Sequence, residues 1–485
     1  MGPPIPVALA VVALFAGYCT EAYIGINWGR QSAQRLVPSQ VVDLILQNGI
    51  RNARIYSTQV DIMNAFESSG VNLTITIYNT TLPHNISQAR SWVQWKYDSL
   101  NVSQIPSVII GGGVYPLDLG GSGVPDYDFL WNALNYVQAA LNESGLGDRM
   151  KTNFLHYAGL LNSNITKPST AEFRPDIRDR MLEFLQFLRH NGAPFMVEFF
   201  PITDLERCGL DPSFAFADNR SKLVIRDVGG AVYTNGFDWQ YDCFVWALEK
   251  LNASDLKILV MQVGWPTDGY PGANAANAER YYKYLLPMVA SNKGTPKQPG
   301  APIDVYVNSL ADEPKISDHR PPFMRHWGIY RSNGEPKFKI DLSGRGRDVY
   351  PTKVKGIMRM PQRWCVFNGD MSDMWKVRQQ VQLACAKGDC TTLAPAASCS
   401  RLDIDKNVSY AFNVFFQTHF QDEQACDFHG LGCITDQDPS TDECVFPVEV
   451  VRGMQVIDFG AAAAHRRPTN GVVFLFVLYI MGGFM

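Results

Sequence analysis

Between residues 23 and 342 the chain alternates short, nearly continuous apolar runs with stretches whose apolar residues return every three or four positions. The first pattern is that of a strand buried on both faces, the second that of an amphipathic helix. Eight apolar runs predict strands at 23–28, 53–57, 71–78, 107–114, 152–158, 195–202, 257–263 and 304–310. Among the helical stretches, 175–190 places Ile177, Met181, Phe184, Leu185 and Leu188 on one face. Pro175 suits its first turn, and Asn191-Gly192 ends it. Eight such repeats predict an α/β chain folded as a (β/α)8 barrel over 23–342. A doubly wound open sheet is the alternative, but it would put a glycine fingerprint after the first strand, which Gly29-Arg30 does not supply. The seventh run breaks at Gly264-Trp265-Pro266, because proline cannot continue sheet pairing. Barrels of this type carry their chemistry at the C-terminal strand ends, so Gln262, the last polar residue before the break, is expected in the working mouth.

Beyond the barrel the pattern changes. Residues 343–362 are polar and irregular, with Gly344, Gly346 and several basic side chains, and read as a linker. Residues 363–448 hold seven of the ten cysteines, which predicts a small disulfide-stapled α+β module. At the N-terminus, 7–17 is an apolar core followed by Thr20-Glu21-Ala22, so 1–22 reads as a secretory signal peptide. At the other end, 449–485 contains a small-residue cluster with Gly460, Ala461 and Ala462, then a polar spacer and an apolar tail too short to span a bilayer. That order reads as a glycosylphosphatidylinositol attachment signal, anchoring the protein to the outer face of the plasma membrane; an ordinary C-terminal strand is the alternative. Acceptor sequons at Asn79, Asn85, Asn101, Asn142, Asn164, Asn219, Asn252 and Asn407 fit an exported chain. A further one at Asn72 sits in an apolar run and is expected to be buried and unmodified.

With 46% hydrophobic and 12% aromatic residues the chain can fill a large core, while a net charge of −4 gives no footprint for nucleic acid. There is no HExxH, paired CxxC or P-loop, and the glycine runs at 111–113 and 120–123 lack the GK[ST] ending of a phosphate cradle. No metal or cofactor is therefore expected, and the oligomeric state is left open.

Several spaced motifs carry a family resemblance over the whole barrel segment. Ile24-Gly25-Ile26-Asn27-Trp28-Gly29, Phe195-Met196-Val197-Glu198-Phe199-Phe200-Pro201, Tyr233-Thr234-Asn235-Gly236-Phe237-Asp238, Gln262-Val263-Gly264-Trp265-Pro266 and His326-Trp327-Gly328-Ile329-Tyr330 resemble, in order, motifs of the plant glucan endo-1,3-β-glucosidases of glycoside hydrolase family 17. The cysteine-rich segment resembles the callose-binding module often appended to those enzymes. That resemblance implies the pairs Cys365–Cys426, Cys385–Cys390 and Cys399–Cys444. Cys433 is left over, and whether Cys208 and Cys243 pair is open.

The resemblance also implies where the chemistry should be. Retaining glycosidases set an acid/base and a nucleophile, both carboxylates, about 5 Å apart across the scissile bond. By motif, Gly113 stands at the family's acid/base position and Gly112 at its neighbouring asparagine, while Gln262 stands at the nucleophile. Of two supporting glutamates, Glu313 is kept and Met324 replaces the other. An amide is a poor nucleophile and a weak stabiliser of an oxocarbenium-like transition state. Glu198, where the family has asparagine, and Glu313 are the residual carboxylates that could substitute, with Glu198 facing either the cleft or a salt bridge. Tyr233, Trp265, Trp327 and Phe200 are candidates to stack on sugar rings, with plain core burial as the competing reading. Phe412, Phe415 and Phe416 are expected to fill the small module's core. The resulting expectation is a cell-surface protein that recognises β-1,3-glucan in the cell wall and has lost hydrolysis. An active endo-hydrolase and a structural wall protein are the alternatives.

Overall fold

The computed structural model describes residues 21–32, 36–99, 104–112, 115–117, 126–317 and 320–451. The signal-like stretch up to residue 20 and the anchor-like tail from 452, with Gly460, Ala461 and Ala462, lie outside them, as do Asn101 and Gly113.

The barrel is a ring of short parallel strands: β1 (Ile24–Trp28), β2 (Asn52–Ile55), β3 (Asn72–Tyr78), β4 (Ser107–Gly112), β5 (Lys151–Asn153), β6 (His156–Tyr157), β7 (Phe195–Glu198), β8 (Ile258–Val263) and β9 (Asp304–Val307). The stretch 152–158, expected as one strand, is two. β5 pairs with β4 and β6 with β7, so Phe154-Leu155 between them turns the corner of the ring. β9 pairs with both β1 and β8, which completes the ring. Apolar side chains dominate these strands because one face meets the barrel interior and the other the helical layer. Ile109, Leu155, Met196, Leu259, Met261 and Tyr306 form the inner plug.

Several strands end sooner than hydrophobicity suggests. β7 stops at Glu198 because Pro201 opens a helix (Pro201–Arg207) two residues after Phe199. The expected helix near 175–190 is a short 3-10 turn, Pro175–Ile177, leading into Arg178–Asn191, with Gly192 at φ 64° as its left-handed stop. Ile177, Met181, Phe184, Leu185 and Leu188 are all buried.

Residues 343–362 are not a free linker. Arg347 grips Asp341 through two nitrogens, Thr352 donates its N–H to Asn48 at 3.1 Å and accepts from the Tyr330 hydroxyl, and Gln40 bonds the Lys355 carbonyl at 2.9 Å. The segment is strapped along the barrel and ends in Met358–Arg359, paired antiparallel with Val450–Val451. Polar composition marks a segment without its own core, not one without partners.

In the small module Trp364–Phe367 pairs antiparallel with Gly432–Thr435 beside the helices Met374–Lys387 and Ile404–Thr418. Its disulfides are Cys365–Cys426, Cys385–Cys390 and Cys399–Cys444. Phe412 and Phe416 are fully buried, with Phe412 stacked on Phe428 at 3.8 Å, and Phe415 packs at the core's edge. Cys433 is an exposed thiol, and Cys208 and Cys243 are both free. Asn72, expected to be buried, is exposed, because it begins β3 before the strand enters the core. Asn85, Asn142, Asn164, Asn219 and Asn252 are exposed too, and the last three have positive φ in turns, where asparagine is tolerated.

Candidate active site

A cleft of about 670 Å³ opens at the C-terminal ends of the strands. Gln262, near the end of β8, is buried and lines it, and its Nε2 has no hydrogen-bond partner among protein atoms. β7 runs alongside β8, and the register pairs Gln262 with Glu198. Since neighbouring in-register residues point to the same side of a sheet, the amide and the carboxylate share the cleft floor.

Glu198 satisfies both readings offered for it: it lines the cleft and is held in a salt bridge. Arg54 Nη1 lies 2.5 Å from its Oε1, with the two side chains 2% and 7% exposed, and the Tyr115 hydroxyl donates to Oε2 at 2.7 Å. Burial works to lower the Arg54 pKa, but Tyr56 and Glu198 outweigh it and hold the guanidinium above its ordinary value. Burial, reinforced by Glu198, pushes the Tyr115 hydroxyl far up, so it stays a donor. Tyr115 is fixed in turn by stacking on Tyr157, ring centres 4.3 Å apart.

Glu313 lines the cleft as well. Burial pushes its carboxyl up to about 7, against the pull of the Gln31 N–H at 2.9 Å and with help from the nearby Asp312 charge. It is therefore substantially protonated near neutrality. Gly29 makes room for it: a Cβ there would sit 2.1 Å from its Oε1. Met324 contributes an apolar patch to the same wall.

At the end of β4 the register shifts between Ile77 and Tyr78, and Gly111 takes φ 78° in the irregularity, a conformation glycine adopts without penalty. A Cβ on Gly112 would lie 2.5 Å from Thr76 Cγ2, so the neighbours have closed over the space an asparagine would use. Gly113 follows directly but lies outside the described residues.

Two of the aromatic candidates are not in the cleft. Tyr233 is wholly buried and donates to Asp242 Oδ2 at 2.9 Å. Trp265 packs against Phe216 and Tyr281 and gives its indole N–H to the Gly272 carbonyl. Past Gly264 the strand alternation no longer applies, and the ring turns into the helical layer. Trp327 does line the cleft, with Phe200 edge-on to it, and its indole Nε1 is buried without a protein partner. Arg54 and Tyr115 were not singled out from the sequence. A lone arginine in the buried strand Asn-Ala-Arg-Ile was the available signal for the first, since such a charge demands a counter-ion.

The family model for glycosyl hydrolases family 17 matches residues 24–342, and that for the X8 domain matches 363–433. The chain is 35% identical over 470 residues to glucan endo-1,3-beta-glucosidase 8 of Arabidopsis thaliana, covering 95% of each. It is 33% identical to glucan endo-1,3-beta-glucosidase 5 of the same plant, covering 98% of each. Among solved structures, a beta-1,3-glucanase and allergen of Cryptomeria japonica pollen superposes with a TM-score of 0.60 at 27% identity, covering 66% of this chain and 99% of that one.

Proposed function

We propose, from the premise that this chain belongs to glycosyl hydrolases family 17 and carries an X8 domain, that it binds β-1,3-glucan in the barrel cleft without cleaving it by the family's carboxylate pair. The observation that carries this is the polar and aromatic lining of one concave cleft: Gln262 and Trp327 both line it, and neither Gln262 Nε2 nor Trp327 Nε1 bonds a protein atom. A concave site that combines an aromatic ring with amide, carboxyl and hydroxyl side chains suits a hydroxyl-rich chain. The motif positions of the nucleophile and the acid/base hold Gln262 and Gly113, which offer neither a nucleophilic oxygen nor a proton for the leaving group. Loss of one essential catalytic residue costs on the order of a million-fold in rate, so loss of both leaves cleavage near background.

The test takes the full chain with soluble β-1,3-gluco-oligosaccharides, scored for binding by calorimetry and for new reducing ends. Binding that Gln262→Ala weakens, with no release above the buffer control, supports the reading. Release at ordinary glycosidase turnover, roughly 1 per second or faster, refutes it. One observation favours a second reading, residual hydrolysis by a displaced pair. Glu198 is ion-paired while Glu313 is held near neutrality, and contrasting environments of this kind mark acid/base assignments elsewhere. Hydrolysis abolished by either Glu198→Gln or Glu313→Gln would establish it.

The reading includes export through 1–22 and lipid anchoring near Gly460, Ala461 and Ala462, on the sequence pattern alone. Release of the protein from intact cells by phosphatidylinositol-specific phospholipase C is the expected result.

A further inference from the structure

The strap that joins the barrel to the module is basic in a chain that is acidic as a whole. Residues 343–362 hold five arginines and lysines against one aspartate, while the chain carries a net charge of −4. Arg347 pairs with Asp341, Asp348 with Lys339, and Arg359 with Glu335. The side chains of Arg345, Lys353 and Lys355 are exposed and have no hydrogen bond or ion pair among the described residues. Val349 and Tyr350, 39% and 58% exposed, fall between them in the chain. The backbone under these side chains is pinned. Ile340 gives its N–H to the Val349 carbonyl at 2.9 Å, Thr352 is held by Asn48 and Tyr330, and Gln40 bonds the Lys355 carbonyl. Val354 and Ile357 turn inward onto the barrel core, so Lys353 and Lys355, on either side of Val354, face out. The strap also meets the end of the described chain. Met358–Arg359 pairs with Val450–Val451, and the sequence then runs nine positions from Val451 to Gly460, the first of the expected attachment residues. Fully extended, such a stretch spans at most about 30 Å. A lipid attached there is tethered from beside the strap.

We propose that the strap is a membrane-facing surface: Arg345, Lys353 and Lys355 rest against the phosphate-bearing headgroups of the bilayer that holds the chain's own lipid, with Tyr350 at headgroup level. The inference rests on the reading that the chain is lipid-anchored near Gly460. Two observations name this occupant, the unpaired positive charge of the strap and the departure of the tail from beside Arg359. Each cation close to an anionic bilayer strengthens binding by roughly fivefold, and a tyrosine ring suits the boundary between headgroups and water. The contact also orients the barrel. The strap crosses the helical layer over Gln40 and Asn48, and Gly344 lies against Ala290. The barrel therefore lies on its flank, and the cleft, at the strand ends, opens along the membrane surface rather than into it.

The test takes the anchored protein from the cells that export it and reconstitutes it in vesicles of equal parts phosphatidylcholine and phosphatidylserine. Lysine acetylation by acetic anhydride is followed by mass spectrometry, before and after release with phosphatidylinositol-specific phospholipase C. Lys222 and Lys250, exposed outside the strap, are the internal reference. The expected result is that Lys353 and Lys355 react at least about fivefold more slowly on the vesicles than after release, while the reference lysines do not change. Molar salt should remove the difference, because it screens the charges. In Arg345→Gln/Lys353→Gln, which alters only exposed side chains, the protection of Lys355 should be largely lost. Equal reactivity of Lys353 and Lys355 before and after release overturns the inference, as does slowing of the reference lysines to the same degree. Protection of the released protein by polygalacturonate, with none from the vesicles, overturns it in favour of an acidic wall polysaccharide. If the phospholipase releases nothing, it is the lipid-anchoring reading that fails, and the inference falls with it.

Discussion

Replacing Gln262 by glutamate puts a carboxylate where the motif resemblance expects a nucleophile, yet the chain is expected to resist it. Gln262 and Glu198 are register partners on adjacent strands, and both face the cleft. Their backbones are therefore about 5 Å apart, and two carboxylates at about that distance repel by roughly 3 kcal/mol at an effective dielectric of about 20. That corresponds to a pKa raised by about 2 units in the new carboxyl. Arg54 already gives Nη1 to Glu198 and offsets only part of this. A carboxyl whose folded pKa lies above its unfolded value is neutral in the folded state while the unfolded chain ionises. Stability then falls as pH rises from about 4.3 through the raised pKa. Urea unfolding of Gln262→Glu should thus match the wild type near pH 4 and lie below it at pH 8, by at most about 3 kcal/mol. Glu198→Asn alone removes the counter-ion of Arg54 and is destabilised as well. Combined with Gln262→Glu it should be more stable at pH 8 than either single variant, because the new carboxylate then serves Arg54. A Gln262→Glu curve parallel to the wild type at every pH, or a double variant equal to the sum of the singles, would refute the reasoning.

Two further outcomes follow from the same floor of charges. Glu198→Ala leaves the buried Arg54 unpaired and should cost about 3–5 kcal/mol in denaturant unfolding, whereas Arg54→Met/Glu198→Met should recover most of that; equal losses in both would count against the ion pair as the cause. Glu313, raised to about 7 by burial, weakens the fold progressively from about pH 4.5 to pH 7, so Glu313→Gln should leave the melting temperature unchanged at pH 4 and raise it at pH 8. The gain is at most about 3 kcal/mol, less the screening of a carboxyl that touches the cleft opening. A lower melting temperature at pH 8 contradicts the sign.

The sequence by itself determined which residues enter the barrel and the module. Apolar runs and three-to-four spacing are local consequences of where a strand or helix meets the core, so 257–263 and 175–190 were readable without any neighbour. For Gln262 the sequence showed only its nearness to the break at Gly264; the irregularity between Val260 and Gln262, not strand alternation, sets it on the same side as Met261 and Glu198. Past that break local rules lose their hold. Trp265 and Trp327 look equivalent on the page, but one ring lies under Phe216 and the other lines the cleft. Only the tertiary structure decided that Arg54 answers Glu198 across 144 residues, and that Asp389 of the module answers Arg325 on the cleft rim. A charge in a buried position announces that a partner must exist. Which partner it finds depends on how the ring of strands closes and on where the strapped segment 343–362 delivers the module, and no periodicity encodes either.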